Sequence, residues 1–363
     1  MKRIVFTVTN DLSYDQRMIR ICTSLVGAGY QVTLVGFKRP DSKPLSQQSF
    51  QQVRLSLLFR KGWLFYADYN FRLFWWLLFR RLDVVGAIDL DTILPCWLVS
   101  VLRRKKRVYD AHELFCEMQE IVGRPRVYRV WKWIERLTVP RFRYGYTVNQ
   151  PIADEFRRLY QRHYEVVRNV PVLHMTPVAE KKERFILYQG AVNEGRSFDT
   201  LIPAMQWVDA RLVIAGDGNY MEKARELVAR HRLEEKVQFT GKLLPAQLRE
   251  LTPKAWAGVT LFEKTGLSNY YSLANRYFDY LHAGIPQLCV DYPVYRELNK
   301  TQPVALLTDD LSPEALAARL NQLLTDPVLY EELQRNCLAV RRQLNWQEEE
   351  KVLIRFYHSI LRP

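Results

Sequence analysis

The residues best suited to chemistry lie between Ser272 and Asp279, in the C-terminal half. Ser272 is predicted to cap a helix whose first turn carries Asn275 and Arg276. The free N–H groups of that helix, the positive end of its dipole and the guanidinium would then converge on one point, which suits a diphosphate. Asp279 follows on nearly the same helix face, where a carboxylate can accept hydrogen bonds from both ribose hydroxyls. An ordinary surface ion pair between Arg276 and Asp279 is the alternative interpretation.

A second group of polar residues follows a predicted strand in the N-terminal half. His112 and Glu113 come just after the strand that ends at Asp110, and sites in α/β proteins form at the carboxyl ends of strands. We therefore predict a catalytic role for His112 and Glu113, although a lone histidine is more often a hydrogen-bonded core residue. The preceding strand is followed by an Asp-Leu-Asp triplet at 89–91. We expect this triplet to cap the next helix, and binding of a divalent cation is the alternative.

Two further loops carry candidate residues. Asp15 and Arg17 lie in the loop after the first predicted strand and are candidates to contact one of the substrates. A helix N-cap at Asp15 and a solvated Arg17 would explain the same residues equally well. Gly216 and Gly218 permit either a close approach of the backbone or a tight turn.

The rest of the sequence predicts the scaffold that positions these residues. Strand and helix patterns alternate with short connections, which indicates two successive βαβ series with parallel sheets, an α/β fold. Predicted strands cover residues 4–8, 31–37, 83–88, 107–110, 144–148, 166–167, 185–189, 211–215, 237–240, 258–261 and 286–290. Predicted helices cover residues 17–28, 92–102, 198–205, 220–232, 245–251, 273–282, 313–325 and 346–361. We expect an N-terminal Rossmann-like domain (1–170), a linker (171–184), a second Rossmann-like domain (185–345) and a C-terminal helix (346–363). The substrate is expected in a cleft between the domains.

Composition limits the partners and the compartment. The 363 residues include 53 basic and 39 acidic ones, so the net charge of +14 favours an anionic partner: nucleic acid, anionic lipid or a phosphorylated substrate. No nucleic-acid-binding motif is present, and no GxGxxG opens either half, which argues against a nicotinamide-dependent dehydrogenase. The five cysteines are scattered without metal-ligand spacing, which indicates a reducing, cytoplasmic location.

The segment from Arg54 to Arg81 interleaves arginines with aromatic residues. Such a composition suits a membrane interface, where rings lie at headgroup depth and cations meet anionic lipid. Packing of one helix face on the sheet, with solvated arginines, is the alternative. Further basic clusters at 103–107 and 124–143 favour attachment to the inner face of a membrane, while the longest apolar run, at 73–79, is too short to span one.

The segment "SLANRYFDYLHAGIP" (272–286) resembles the donor-binding motif of glycosyltransferase family 4, which belongs to the GT-B fold group. In that family a serine-rich turn precedes a helix reading Asn-Lys/Arg-x-x-Glu/Asp-Tyr, followed by Gly-x-Pro. Other segments are similar to the same family in the same order, and the resemblance covers nearly the whole chain. They are "AIDLDTILP" (87–95), "VYDAHELF" (108–115), "LYQGAVNEGRSFDTLIPAM" (187–205), "LVIAGDGNY" (212–220) and "VQFTGKL" (237–243).

The resemblance implies a role for each matching position. Arg196 and Arg276 would bind the diphosphate of a UDP- or GDP-type sugar, Asp279 its ribose, and the strand before Gly241 would lie beside the nucleobase. His112 would lie near the donor sugar. The implied reaction is a retaining transfer without a bound metal or cofactor, to an acceptor that in this family is often lipid-linked. The implied fold is GT-B, with a C-terminal helix that returns toward the N-domain.

Two positions depart from the family pattern. Ala191 stands where the family has an arginine, and Tyr271 stands where it has the first of two glutamates. The loss of that glutamate keeps a non-catalytic scaffold that binds sugar nucleotides as one alternative. A nucleotide-sugar epimerase of the same fold is another.

Overall fold

A computed structural model describes residues 1–13, 15–174 and 183–361. The chain divides into two compact units, one formed by Met1–Asn169 with Glu348–Pro363 and the other by Val170–Gln347. Most of the predicted linker lies outside the described residues. Each unit is built around one parallel sheet.

Unit 1 contains a seven-stranded sheet in the order β3-β2-β1-β4-β5-β6-β7, with every neighbouring pair parallel. Its strands are β1 (Arg3–Thr7), β2 (Gln31–Lys38), β3 (Gln51–Ser56), β4 (Val84–Ile88), β5 (Lys106–Ala111), β6 (Tyr144–Thr147) and β7 (Glu165–Val166). Its first helices are α1 (Gln16–Gly27), α2 (Gly62–Leu78), α3 (Ile93–Leu102), α4 (Gln119–Val122), α5 (Pro125–Thr138) and α6 (Gln150–Tyr160). The strand order reverses direction between β1 and β4, and doubly wound sheets form their sites at such a point.

Unit 2 contains a six-stranded parallel sheet in the order β10-β9-β8-β11-β12-β13. Its strands are β8 (Glu183–Gln189), β9 (Arg211–Ala215), β10 (Val237–Phe239), β11 (Ala255–Thr260), β12 (Gln287–Val290) and β13 (Leu306–Thr308). Its helices are α7 (Phe198–Ala204), α8 (Met221–Arg230), α9 (Pro245–Leu251), α10 (Leu267–Tyr270), α11 (Asn275–Ala283), α12 (Pro293–Asn299), α13 (Pro313–Thr325) and α14 (Pro327–Val340). The two sheets share the order 3-2-1-4-5-6, so the prediction of two Rossmann-like α/β domains is confirmed.

The first βαβ unit shows how local sequence sets these elements. Asp15 caps α1 by accepting a hydrogen bond from the Met18 amide at 2.9 Å. Apolar side chains then recur at helical spacing and are buried against the sheet, and the chain turns at Gly29, whose φ is +88°. A side chain at Gly86 in β4 would collide with the ring of Phe6 at 2.5 Å, so glycine is what allows these strands to pack.

The last helix, α15 (Trp346–Leu361), completes the core of unit 1. Tyr357 is fully buried, and its ring lies 6.0 Å from Phe6 and 6.3 Å from Tyr146. Glu349 forms an ion pair with Arg168 at 2.9 Å. The helix is therefore part of the hydrophobic core of unit 1.

Candidate functional site

Unit 1 holds a chain of four charged side chains at the carboxyl ends of β4 and β5. The Arg17 guanidinium lies 2.9 Å from Asp110 and also donates to the Val167 carbonyl at 3.1 Å. His112 lies between two carboxylates, with Nδ1 3.3 Å from Asp89 and Nε2 3.3 Å from Asp110. The Asp89 carboxylate also accepts the backbone N–H of His112 at 2.9 Å. Cations and anions thus alternate in the order Arg17, Asp110, His112, Asp89.

These charges perturb one another because the cluster is largely removed from water. Burial would lower the pKa of His112, but the carboxylates of Asp89 and Asp110 raise it to about 9. Burial acts to raise the pKa of Asp110, and Arg17 and His112 hold it below its ordinary value. Burial raises the pKa of Asp89. At neutral pH the imidazole is therefore protonated.

The Asp-Leu-Asp triplet does not cap α3, so that prediction is wrong. A 3-10 turn, Leu90–Thr92, separates the triplet from α3, and no side-chain cap bond forms at either start. Asp89 instead adopts φ 55° and ψ −178°, a region that is essentially reserved for glycine. Its carboxylate accepts a hydrogen bond from the backbone N–H of His112, which directly follows β5. Burial, with the neighbouring Asp89 charge, raises the pKa of Asp91 to about 7.

The loop before α1 takes a structural role. Asp15 is the N-cap of that helix, as one of the two interpretations predicted. Arg17 is only 4% exposed, so a solvated arginine is wrong for this position. Glu113 is partly buried beside His112, at the end of β5.

Unit 2 brings two of the predicted phosphate ligands onto one aromatic ring. The guanidinium carbons of Arg196 and Arg276 lie 4.4 and 4.7 Å from the centre of the Phe262 ring. Arg276 also lies over Tyr188 at 4.7 Å and donates to the Leu261 carbonyl at 3.3 Å. Cation–π contacts of this kind hold a guanidinium in place without cancelling its charge.

Arg276 is a buried cation without a carboxylate counterion. Its side chain is 8% exposed, and it forms no ion pair with any residue that the structure describes. Its Nε is buried and has no hydrogen-bond partner in the same part of the chain. Because an uncompensated buried charge is costly, an anion placed beside Arg276 would be stabilised.

The turn before α11 is organised differently from the prediction. Ser272 donates to the carbonyl of Asn269 at 2.8 Å, so it closes α10 and does not cap α11. The N-cap of α11 is Ala274, whose N–H donates to the Tyr295 hydroxyl at 3.0 Å. Asn269 also accepts a hydrogen bond from Arg196 at 3.0 Å, and this contact links Arg196 to the turn of Ser272. Asn275, the first residue of α11, is exposed.

Asp279 is oriented by a hydrogen-bonded relay. The amide of Gln189, at the end of β8, donates to Asp279 at 2.7 Å. Gln189 is 4% exposed and accepts the Thr252 hydroxyl at 2.7 Å. Asp279 does not ion-pair with Arg276, so the surface-pair alternative is wrong.

The glycines of the β9 loop allow two loops to meet. A Cβ at Gly216 would lie 1.8 Å from the Gly190 carbonyl oxygen, and one at Gly218 would lie 2.3 Å from the Val192 carbonyl oxygen. The close approach is therefore between this loop and the loop that leads to Arg196. Gly241, after β10, has φ +71° and open space around it.

No group of three or more His, Cys, Asp or Glu side chains in residues 1–13, 15–174 and 183–361 is arranged to hold a metal ion. Sequence reasoning missed three residues that position predicted ligands. Phe262 contacts Arg196 and Arg276, Asn269 contacts Arg196, and Gln189 contacts Asp279. The available signals were a polar residue at the carboxyl end of β8, Gln189, and an aromatic residue two positions after β11, Phe262.

Two family models match the chain. The model of Glycosyltransferase Family 4 matches residues 16–170, and that of Glycosyl transferases group 1 matches residues 175–338. No curated protein matches the sequence.

Solved structures share the fold at low sequence identity. A sucrose-phosphate synthase from Thermosynechococcus elongatus superposes with a TM-score of 0.81 at 15% identity, covering 99% of each chain. HepE from Anabaena, in complex with UDP and glucose, gives a TM-score of 0.78 at 15% identity over 99% of this chain and 100% of that chain. A TarM variant from S. aureus, in complex with Fondaparinux, alpha-GlcNAc-glycerol and UDP, gives 0.75 at 10% identity over the whole of both chains.

Proposed function

The chain is a family 4-like glycosyltransferase of the GT-B fold group, and we propose that it transfers a sugar from a nucleoside-diphosphate donor with retention of configuration. The observation that carries the proposal is Arg276, a buried cation with an unpartnered Nε and no carboxylate counterion in the described residues, at the start of α11. Two phosphates would supply the anion that this position lacks.

In this proposal the donor lies along the carboxyl edge of the unit 2 sheet. Arg196, Arg276, Ser272 and Asn275 bind the diphosphate, with the first N–H groups of α11. Asp279 binds the ribose, and Gln189 fixes its carboxylate for that purpose. The nucleobase lies at the loop of Gly241. The UDP complexes of HepE and TarM support a uridine nucleotide as the first donor to test.

His112 acts on the donor sugar as a hydrogen-bond donor rather than as a base. With a pKa of about 9 the imidazole is protonated at neutral pH and has no lone pair to accept a proton. Its Nε2 is buried and makes only an unaligned contact with Asp110, within the described residues. When the Nε2–H donates to a sugar hydroxyl instead, the negative charge of Asp110 is still neutralised by Arg17. Glu113 lies beside it as the second catalytic candidate.

The leaving diphosphate is stabilised by protein charge, without a metal or a cofactor. Arg196 and Arg276 are preorganised on Phe262, so little reorganisation is needed as negative charge develops. We further propose that the acceptor is a lipid-linked or surface-polysaccharide precursor, met at the cytoplasmic face of a membrane.

The test is a thermal-shift screen with UDP, GDP and their sugar conjugates, followed by a turnover assay. A nucleotide that binds only the folded protein raises its melting temperature. We expect a shift with the preferred nucleoside diphosphate and acceptor-dependent release of nucleotide from its sugar conjugate, with the product anomer matching the donor by NMR. Indifference to every nucleoside diphosphate would refute the proposal. Sugar interconversion without acceptor would instead indicate an epimerase, and binding without turnover a scaffold.

A further inference from the structure

Helix α2 carries a row of exposed aromatic side chains. Trp63, Phe71, Trp75 and Phe79 follow one another at multiples of four residues, with exposed fractions of 77%, 65%, 45% and 77%. The ring centres of Phe71 and Trp75 are 6.2 Å apart, and those of Trp75 and Phe79 are 6.1 Å apart and stacked. The rings of Phe71, Trp75 and Phe79 therefore form a continuous row at the C-terminal end of the helix, and Trp63 is exposed near its start.

Helix α3 extends this surface with aliphatic side chains. The two helices pack side by side, and Arg103 donates to the Leu77 carbonyl of α2 at 3.2 Å, which fixes their C-terminal ends together. Leu98, Val101 and Leu102 are exposed at helical spacing on α3. We call the surface formed by these seven residues the aromatic face. In unit 2, among the described residues, only Trp207, Leu244 and Val328 are exposed large hydrophobic side chains, and they are scattered.

The charge around the aromatic face is strongly positive. Residues 98–107 contain five basic residues and no acidic one, and residues 58–82 contain five basic residues and one acidic one. That single acidic residue, Asp68, is neutralised by Arg72 at 2.6 Å. Arg80, Arg81 and Arg104 are exposed at the C-terminal ends of the two helices.

We propose that the aromatic face binds the surface of an anionic lipid bilayer. Aromatic rings enter the headgroup region while flanking arginines meet lipid phosphates, and the two contributions add. A helix of the length of α2 runs about 25 Å, enough to lie in the membrane plane. No helix in the described part of the chain has the length and apolarity needed to cross a membrane.

Bilayer binding would deepen the proposed function, because it would bring the enzyme to a lipid-linked acceptor. It rests on the proposed function only for the identity of that acceptor. Asn70 of α2 donates to the backbone carbonyl of Asp91 at 2.9 Å, and Asp91 follows the strained Asp89. The helix that carries the aromatic face thus contacts the loop after β4, and Asp89 of that loop pairs with His112. Membrane binding would hold that loop close to an acceptor embedded in the bilayer.

The test is co-sedimentation of the full chain with vesicles, without donor or acceptor. We expect binding to phosphatidylcholine mixed with phosphatidylglycerol, and little binding to phosphatidylcholine alone. Phe71→Ser with Phe79→Ser, and separately Arg80→Glu with Arg81→Glu, should each weaken binding by about tenfold or more. The matched controls in unit 2 are Trp207→Ser and Arg230→Glu with Arg335→Glu, which should bind as the parent does.

Several outcomes would overturn the inference. They are equal binding to neutral and anionic vesicles, equal losses in the unit 2 controls, or no binding at all. A concentration-dependent dimer that Phe71→Ser with Phe79→Ser abolishes would assign the face to a second copy of the chain. Thermal shifts with UDP report nucleotide binding independently of vesicle binding. The proposal of membrane binding can therefore fail while the proposed function stands, and the reverse.

Discussion

Arg17 in unit 1 and Arg276 in unit 2 are both buried arginines, but their surroundings differ. Arg17 is 4% exposed and lies 2.9 Å from the Asp110 carboxylate. Arg276 is 8% exposed and is held by one carbonyl and two aromatic rings. The first charge is neutralised by the fold, and the second has no carboxylate counterion among the described residues. Burial alone therefore does not distinguish the two arginines, whereas their partners do.

The largest expected effect is on stability, from removing the counterion of Arg17. Asp110→Ala leaves a buried guanidinium unpaired, and we expect it to lower the free energy of unfolding by about 3–5 kcal/mol, measured by urea denaturation. The matched control removes both charges: Arg17→Met with Asp110→Leu should recover most of that loss. A loss below about 1 kcal/mol in Asp110→Ala would show that this pair does not compensate a buried charge.

Arg276→Met should show the opposite pattern. No ion pair is broken, so the free energy of unfolding without ligand should change by less than about 1 kcal/mol, whereas affinity for UDP should fall by about 2–3 kcal/mol. Calorimetric titration with UDP and with uridine separates the phosphate contribution, because uridine binding should be unchanged. Arg341→Met is the control, since Arg341 matches Arg276 in burial and in its bond to one backbone carbonyl, that of His282, but lies outside the predicted donor site. Equal weakening of UDP and uridine would remove Arg276 from the phosphate site.

The smallest effect tests the charge on His112. Its pKa in the folded protein is about 9 against an ordinary value of 6.5. A raised pKa stabilises the folded state fully below about pH 6.5, and that contribution disappears as the pH rises through about 9. The stability difference between the parent and His112→Gln should therefore be on the order of 2 kcal/mol at pH 6 and fade by about pH 10.

Exposed His163 of unit 1 offers the control for this pH series. Because its side chain is exposed, His163→Gln should change the free energy of unfolding by less than about 0.5 kcal/mol. A difference between the parent and His112→Gln that does not vary with pH would mean that folding leaves the pKa of His112 unchanged, against the prediction.

The sequence was sufficient for most of the fold because alternating βαβ patterns are local. The cap at Asp15 followed from the residues around it, and so did most strand ends. The helices α5, α6, α12 and α14 and the strands β3 and β13 were missed. Strand β3 is only partly buried, and its polar residues mask the alternation that marks a strand.

The site was predicted less completely, because its geometry depends on contacts between distant segments. The sequence did not show whether Arg17 is solvated or buried, because its partner, Asp110, lies 93 residues away. Ser272 has the right residue type for a cap, but the Tyr295 hydroxyl receives the N–H before α11 and the serine turns back to Asn269. The positive φ of Asp89 was not predictable from the residue type, since contacts with distant residues hold it: its N–H donates to the Asp110 carbonyl and its carboxylate accepts the His112 N–H.

The position of α15 also affects how the chain folds during synthesis. Unit 1 receives its last core residues, including Tyr357, only after all of Val170–Gln347 has been made. Unit 2 is continuous and can fold as soon as it leaves the ribosome, so the second domain of the chain is expected to mature first. Until α15 has been made, Phe6 and Tyr146 lack the ring of Tyr357, so the core of unit 1 is incomplete during that time.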